Sequence, residues 1–359
     1  TPADTNPRKY HSTGPFELNG EAGVSTTPGK HSFTEAFGDA LASLGSVDDK
    51  VIAITAAMPD GTGLNKFRKS FPSRYIDVGI AESIAVDIAA GLAKQGFKPF
   101  VCIYSTFLQR SIDQIFQEAS LQNLPVVFCI DRAGVVGTDG PTHHGMLDIG
   151  FMRMLPNVEV LCPADEQDLK LAIEYAAEAS CPIAIRYPKE DIAEGGLAAE
   201  LAAPYHRGKS VFVRRGENAR IAIVAVGPIL AEALKAAQLL KEQGIETDVV
   251  CARFAKPVDT AIIDLFVQDK TVIIAEDHSL SCGFGSATLE EAVRAAAASD
   301  DTVMQRAIGR TVLLAGPDGF IPAAARNRQL AWIGLTAERM VEAARQIAAG
   351  ESVGISRRS

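Results

Sequence analysis

From Phe33 onward, short apolar runs alternate with segments of helical period, and this alternation limits what the chain can fold into more than any other feature. It is the signature of βαβ units around a mainly parallel sheet, because parallel neighbours need a crossover long enough to hold a helix. The runs VIAIT (51–55), RYIDVG (74–79), PFVCIY (99–104), PVVFCI (125–130), VEVLC (158–162) and PIAIRY (182–187) read as strands. Helices are predicted between them at 34–44, 82–95, 107–122 and 166–179. After a looser stretch, EDIAEGGLAAELAAPYHRG, a second set begins, with strands ARIAIVAVG, TDVVCARF and TVIIAED and helices at 229–243, 259–266, 286–297 and 336–348. The expectation is an α/β protein with two doubly wound domains, 31–195 and 205–350, divided near Pro204, the second having the smaller sheet. Residues 1–30, which open TPADTNPRKYHSTGPF, read as a linker from a missing N-terminal domain.

With 359 residues and 47% hydrophobic content, each domain can hold a core of its own. A net charge of -9 opposes broad attraction to nucleic acid or to an anionic membrane. An anionic ligand must then be gripped by local arginines. The six cysteines form no CxxC pair and read as small buried hydrophobes of a reducing compartment. No apolar run approaches the roughly 20 residues that span a bilayer, and the opening stretch has no apolar core of a secretory signal. Those features predict a cytoplasmic protein, or an organelle protein relieved of its address segment.

In open α/β sheets, ligands collect beyond the carboxyl ends of strands, so the turns there are the places to read for chemistry. After RYIDVG, Glu82 opens an alanine-rich helix, where a carboxylate either satisfies free amides or serves a site. PFVCIY runs into STFLQRSIDQ, crowding Tyr104, Phe107, Gln109 and Arg110 into one turn. PVVFCI empties into DRAGVVGTDGPTHHGMLDIG, whose glycines allow close backbone approach and which carries Asp131, Arg132, Asp139, His143 and His144. Arg186 ends PIAIRY and is expected near Arg132, two guanidinium forks suited to a phosphate, unless it pairs with Glu190 or Asp191. Asp60, in MPDGTG, is a further candidate for the same mouth. Adjacent His143 and His144 diverge too far to share a metal, and no zinc spacing, Walker loop, full GxGxxG or GxSxG elbow occurs. The glycines of SCGFGSATLE read as a helix start.

Taken together, ITAAMPDGTG, DVGIAES, IYSTFLQRSIDQ, DRAGVVGTDGPTHHG, IRYPKE and RFAKPVD resemble the 1-deoxy-D-xylulose-5-phosphate synthases over nearly the whole chain. The resemblance implies a pyrimidine-binding domain followed by a transketolase C-terminal-like domain, in an enzyme that condenses pyruvate with glyceraldehyde 3-phosphate and releases carbon dioxide. It implies thiamine diphosphate as cofactor and a homodimer. It also implies a separate N-terminal domain that binds the diphosphate through Mg2+, since no GDG motif with its paired asparagine is found here. By the same resemblance, Glu82 hydrogen-bonds the aminopyrimidine, a role for a carboxyl that holds a proton near neutrality. Phe107 packs on that ring, with Arg110 on the same turn. Tyr104, Arg132 and Arg186 bind the substrate phosphate, and Asp139 and His143 face the substrate, with His143 as proton carrier. Where the family usually has Gln-His after the glutamate, this chain has Ser83 and Ile84. Two other readings remain open: a subunit of a split transketolase or 2-oxoacid dehydrogenase, and a non-catalytic relative.

Overall fold

Most βα units form as expected because most strand runs are apolar and buried and most helices carry one apolar face. The computed structural model describes residues 2–5, 16–19, 22–25, 31–193, 195–299 and 301–349. Much of the predicted linker lies outside the described residues. Its described parts are a helix, Pro2–Thr5, and an antiparallel pair, β1 (Phe16–Asn19) and β2 (Ala22–Ser25).

The first sheet takes β3 (Val51–Thr55), β4 (Tyr75–Asp77), β5 (Lys98–Tyr104), β6 (Val127–Asp131), β7 (Glu159–Leu161) and β8 (Ile183–Arg186). The second takes β9 (Val211–Arg214), β10 (Ile221–Ala225), β11 (Thr247–Cys251), β13 (Thr271–Ser279) and β14 (Val312–Gly316). Between them in sequence, β12 (Phe254–Lys256) leaves the second domain to pair antiparallel with β7, so the first sheet has seven strands in the order β12-β7-β8-β6-β5-β3-β4. The second has five, in the order β14-β13-β10-β11-β9, with β9 antiparallel on its edge. TDVVCARF is therefore two strands in two sheets, not one. The register pairs Thr55 with Cys102, Tyr104 with Asp131 and Ile130 with Arg186, which levels the strand ends that carry the candidate residues.

Helix Phe33–Val47 starts with a capping box between Ser32 and Glu35. The predicted 107–122 helix is broken instead: Ser105–Leu108 gives way to a 3-10 turn at Gln109–Ser111, then to Ile112–Gln114 and a π turn at Ile115–Ser120. Such irregular turns re-aim side chains and are frequent at functional sites. The start predicted in SCGFGSATLE is real: helix Phe284–Ser299 lays its first amides, those of Phe284 and Gly285, on the buried Glu276 carboxylate at 2.6 and 2.8 Å.

Each domain has an apolar cluster largely its own, and a third is shared between them. One apolar cluster runs from Phe128, Met152 and Val160 under the first sheet to Ile262, Phe266 and Phe284 under the second. Cys102, Cys129, Cys162 and Cys251 are buried as expected, but Cys181 is half-buried and Cys282 exposed. Among the described residues, no helix is long and apolar enough to cross a membrane.

Candidate active site

Glu82 is the first residue of helix Glu82–Lys94 and is 4% exposed. Its carboxylate does not cap that helix; it accepts a hydrogen bond from Arg110 Nη1 at 2.6 Å. Arg110 in turn lies over the Phe107 ring, 5.4 Å from its centroid, while Ser83 Oγ donates to the Arg110 carbonyl at 3.0 Å. Ser83 thus braces the irregular turn, and Ile84 stands half exposed beside it, with Ile80 open to solvent.

Phe107 joins this acid to the glycine-rich loop. Its ring stacks on Tyr104 at 5.5 Å and 15°, and meets His143 edge-on at 5.5 Å and 70°. Thr142 Oγ1 and His143 Nδ1 are 2.9 Å apart. Beyond Tyr104, the Arg132 guanidinium sits 4.1 Å from the tyrosine ring centroid. Arg132 holds a left-handed backbone, φ 61°, sparsely populated for a residue with a side chain and found where a site demands it. Its Nη1 donates to Thr34 Oγ1 at 3.1 Å and to the Gly61 carbonyl, and pairs with Asp131 Oδ1 at 2.9 Å. Gly61 tolerates no side chain, because a Cβ there would lie 1.8 Å from the Tyr104 hydroxyl.

Burial sets the electrostatics of this corner. It pushes the Tyr104 hydroxyl up to about 12, with Arg132 opposing and Asp131, Asp139 and Asp60 adding to the rise. Burial likewise holds the Asp131 carboxyl above the usual range, against the pull of Arg132 and Thr34. Tyr104 is therefore a neutral hydroxyl at any ordinary pH, able to donate to an anion.

The remaining candidates sort unequally. Asp139 and Asp60 both act on the Tyr104 hydroxyl, so they border the same mouth; Asp139 Oδ2 accepts from Lys189 Nζ at 2.6 Å and Asp60 Oδ1 from Asn65 Nδ2 at 2.6 Å. Arg186 is not the second fork of a rim clamp. It is 5% exposed, donates through Nε to Asp148 Oδ2 at 2.9 Å and through Nη2 to the Asp277 carbonyl at 2.9 Å, and joins the two domains. Neither Glu190 nor Asp191 is its partner: Glu190 takes Arg326 at 3.0 Å. The cation paired with Asp139 is Lys189, 43% exposed along its side chain and absent from the sequence reading. Its signal was positional, since it follows Pro188 beyond the last paired residue of β8, whereas Arg186 is still inside the sheet.

The two histidines do diverge. His143 faces Phe107, while His144 is buried, accepts the Val136 amide at Nδ1 (3.1 Å) and has Nε2 3.0 Å from the Ile321 carbonyl of the C-terminal domain. Gly134 also lies against that domain: a Cβ on it would meet Asp277 Oδ2 at 2.1 Å. Half of the loop's unusual composition thus serves domain docking.

A buried carboxyl beside a half-buried aromatic face suits a heteroaromatic ring that needs an acid partner and a stacking surface. Nothing comparable suits a metal: among the described residues, no group of three or more His, Cys, Asp or Glu is placed to hold one.

Comparison with known proteins agrees with this division. Residues 29–194 match the transketolase pyrimidine binding domain and residues 208–340 the transketolase C-terminal domain. The chain is 48% identical over 292 residues to 1-deoxy-D-xylulose-5-phosphate synthase 1 of Geobacter sulfurreducens, covering 80% of this chain and 45% of that protein. It is 41% identical over 359 residues to the synthase of Gloeobacter violaceus, covering 99% of this chain and 54% of that one. The chain therefore spans about half the length of the curated relatives it matches. Among solved structures, a split gene transketolase, an inactive beta4 tetramer, superposes with TM-score 0.75 at 28% identity, covering 88% of this chain and 98% of that chain. The transketolase from Leishmania mexicana, at 20% identity and TM-score 0.73 over 93% of this chain and 48% of that one, shares the fold.

Proposed function

This chain belongs to the transketolase family, of which it carries the pyrimidine-binding and C-terminal domains, and from that premise we propose that it supplies half of a thiamine-diphosphate site that condenses pyruvate with glyceraldehyde 3-phosphate. The product would be 1-deoxy-D-xylulose 5-phosphate, with loss of carbon dioxide. The observation that carries the reading is the unbroken line of contacts from buried Glu82 through Arg110 and Phe107 to Tyr104, His143 and Arg132. It joins an acid and a stacking face to a hydroxyl, an imidazole and a guanidinium within one mouth.

Thiamine diphosphate, when bound, supplies the carbanion chemistry. Glu82 and Phe107 are the residues that would hold its ring, Glu82 by sharing a proton and Phe107 by its face. Arg110, now paired with Glu82, would have to swing aside for that proton to be shared, and its exposure leaves it free to do so. The substrate phosphate falls to Lys189, Arg132 and the Tyr104 hydroxyl, in place of Arg186. His143, on the opposite edge of Phe107, is placed to carry a proton to or from the substrate oxygen. The diphosphate and Mg2+ would belong to another domain, in this polypeptide or in another, and a second copy of the assembly is expected to complete a homodimer.

The test is reconstitution. The chain, combined with a diphosphate-binding domain, should turn over pyruvate and glyceraldehyde 3-phosphate. Preference for ketose phosphates in that assay would instead identify a split transketolase, whose solved relative covers the same span.

A further inference from the structure

The loop that carries Asp139 and His143 is held from the far side by the C-terminal domain, and a single buried amide grips the residue that opens its 3-10 turn. Gln329, fully buried on helix Arg326–Trp332, accepts the Gly137 amide at Oε1 (2.8 Å) and donates through Nε2 to the Gly137 carbonyl (2.9 Å) and to the Pro322 carbonyl (2.8 Å). It therefore saturates both backbone groups of one glycine and ties them to its own domain. Gly137 opens the 3-10 turn Gly137–Asp139, closed by the Gly140 N–H on the Gly137 carbonyl, and a second turn, His143 N–H to the Gly140 carbonyl, carries the chain on to His143. The spatial fit on that side is close: a Cβ on Gly140 would meet the Ala323 Cβ at 3.1 Å. Asp277 and Arg326 secure Val135, through its amide at 3.0 Å and its carbonyl at 2.5 Å, and His144 bridges Val136 to Ile321. From its own domain the loop is held by Thr106 Oγ1 donating to the Thr142 carbonyl at 3.1 Å and by Lys189 Nζ donating to Asp139 Oδ2 at 2.6 Å, while Gly134 and Gly145 pair within it.

We infer that Gln329 is a positioning residue: from the C-terminal domain it fixes Gly137, and through two consecutive turns it sets where Asp139 and His143 stand at the mouth. The inference deepens the function proposed above and rests on it for the kinetic half of its test. Buried backbone groups left without partners cost more than the bonds themselves contribute, so their loss loosens the segment. Gln329→Met keeps the volume and removes every bond, while Gln329→Asn keeps the amide and withdraws it by one methylene.

In the full assembly, Gln329→Met should speed amide hydrogen exchange across residues 135–143 about tenfold, with exchange in β10 and β13 unchanged. The KM for glyceraldehyde 3-phosphate should rise about tenfold and that for pyruvate stay within about twofold, because the phosphate site proposed above includes Lys189, the partner of Asp139. Gln329→Asn should give a smaller change of the same kind, and it carries the test if the methionine variant does not fold. Unchanged loop exchange in a folded variant overturns the inference, as does faster exchange with both Michaelis constants unmoved. Absence of turnover in the unmutated assembly would count against the proposed function instead, and the exchange measurement would still decide the grip.

Discussion

Arginine chemistry separates the positions that build this molecule from those that face its mouth. Arg186 ends an apolar strand and Arg132 follows one, but the first is sealed against Asp148 and the second packs on Tyr104. Removing one partner of a buried ion pair leaves the other charge uncompensated, so Arg186→Ala should lower stability by about 3–5 kcal/mol, read as a drop in the denaturation midpoint. Lys189→Ala should leave that midpoint nearly unmoved and raise the KM for the phosphorylated aldehyde about tenfold or more, with less effect on pyruvate. A similar rise for both substrates would remove Lys189 from phosphate binding. Residue types were legible in sequence here, and roles were not: strand alternation places Arg186 at a strand end, but only the folded chain brings Asp148, at the start of helix Asp148–Arg153, to meet it. Glu82 shows the same limit: helix capping and site service leave identical sequence marks, and only the fold gives the carboxylate its partner, Arg110.

At the scale of elements, regular βα units were readable because an apolar strand and an amphipathic helix each declare their period locally. The breaks were not readable. The 107–122 segment has helical period throughout, and tertiary packing inserts the turns at Gln109–Ser111 and Ile115–Ser120 that aim Arg110 back at Glu82. β12 hides in the same way, three residues after β11 with no punctuation between them, because the chain changes sheets in two residues. Helix Phe284–Ser299 offers a test at this level. Burial pushes the Glu276 carboxyl beneath its first turn up to about 7, despite the Gly285 and Phe284 amides and Arg186 pulling the other way. A carboxyl raised in the folded state contributes stability that is fully present below its unfolded value of 4.5 and is lost as pH rises through about 7. Glu276→Gln, which cannot ionise, should flatten the fall of the unfolding free energy across that window. An unaltered pH profile would mean that Glu276 is already charged in the native state throughout.

For the whole molecule, the shared core, the strand lent by the C-terminal domain and the Arg186 and Gln329 contacts make the two domains one body around a mouth that belongs to the first. The family was legible from motif strings alone, whereas the dependence of the glycine-rich loop on the C-terminal domain was not, since Asp277, Ile321, Arg326 and Gln329 match no motif and lie more than a hundred residues away. The central claim is that Glu82 is the acid of a site completed by a diphosphate-binding domain. The most direct measurement is product formation from pyruvate and glyceraldehyde 3-phosphate by the chain mixed with such a domain, thiamine diphosphate and Mg2+, run in parallel with Glu82→Gln. The account predicts turnover in the mixture, none from the chain alone, and a loss of at least about a hundredfold for Glu82→Gln at an unchanged denaturation midpoint. Near-equal rates for the intact and Glu82→Gln mixtures would contradict it.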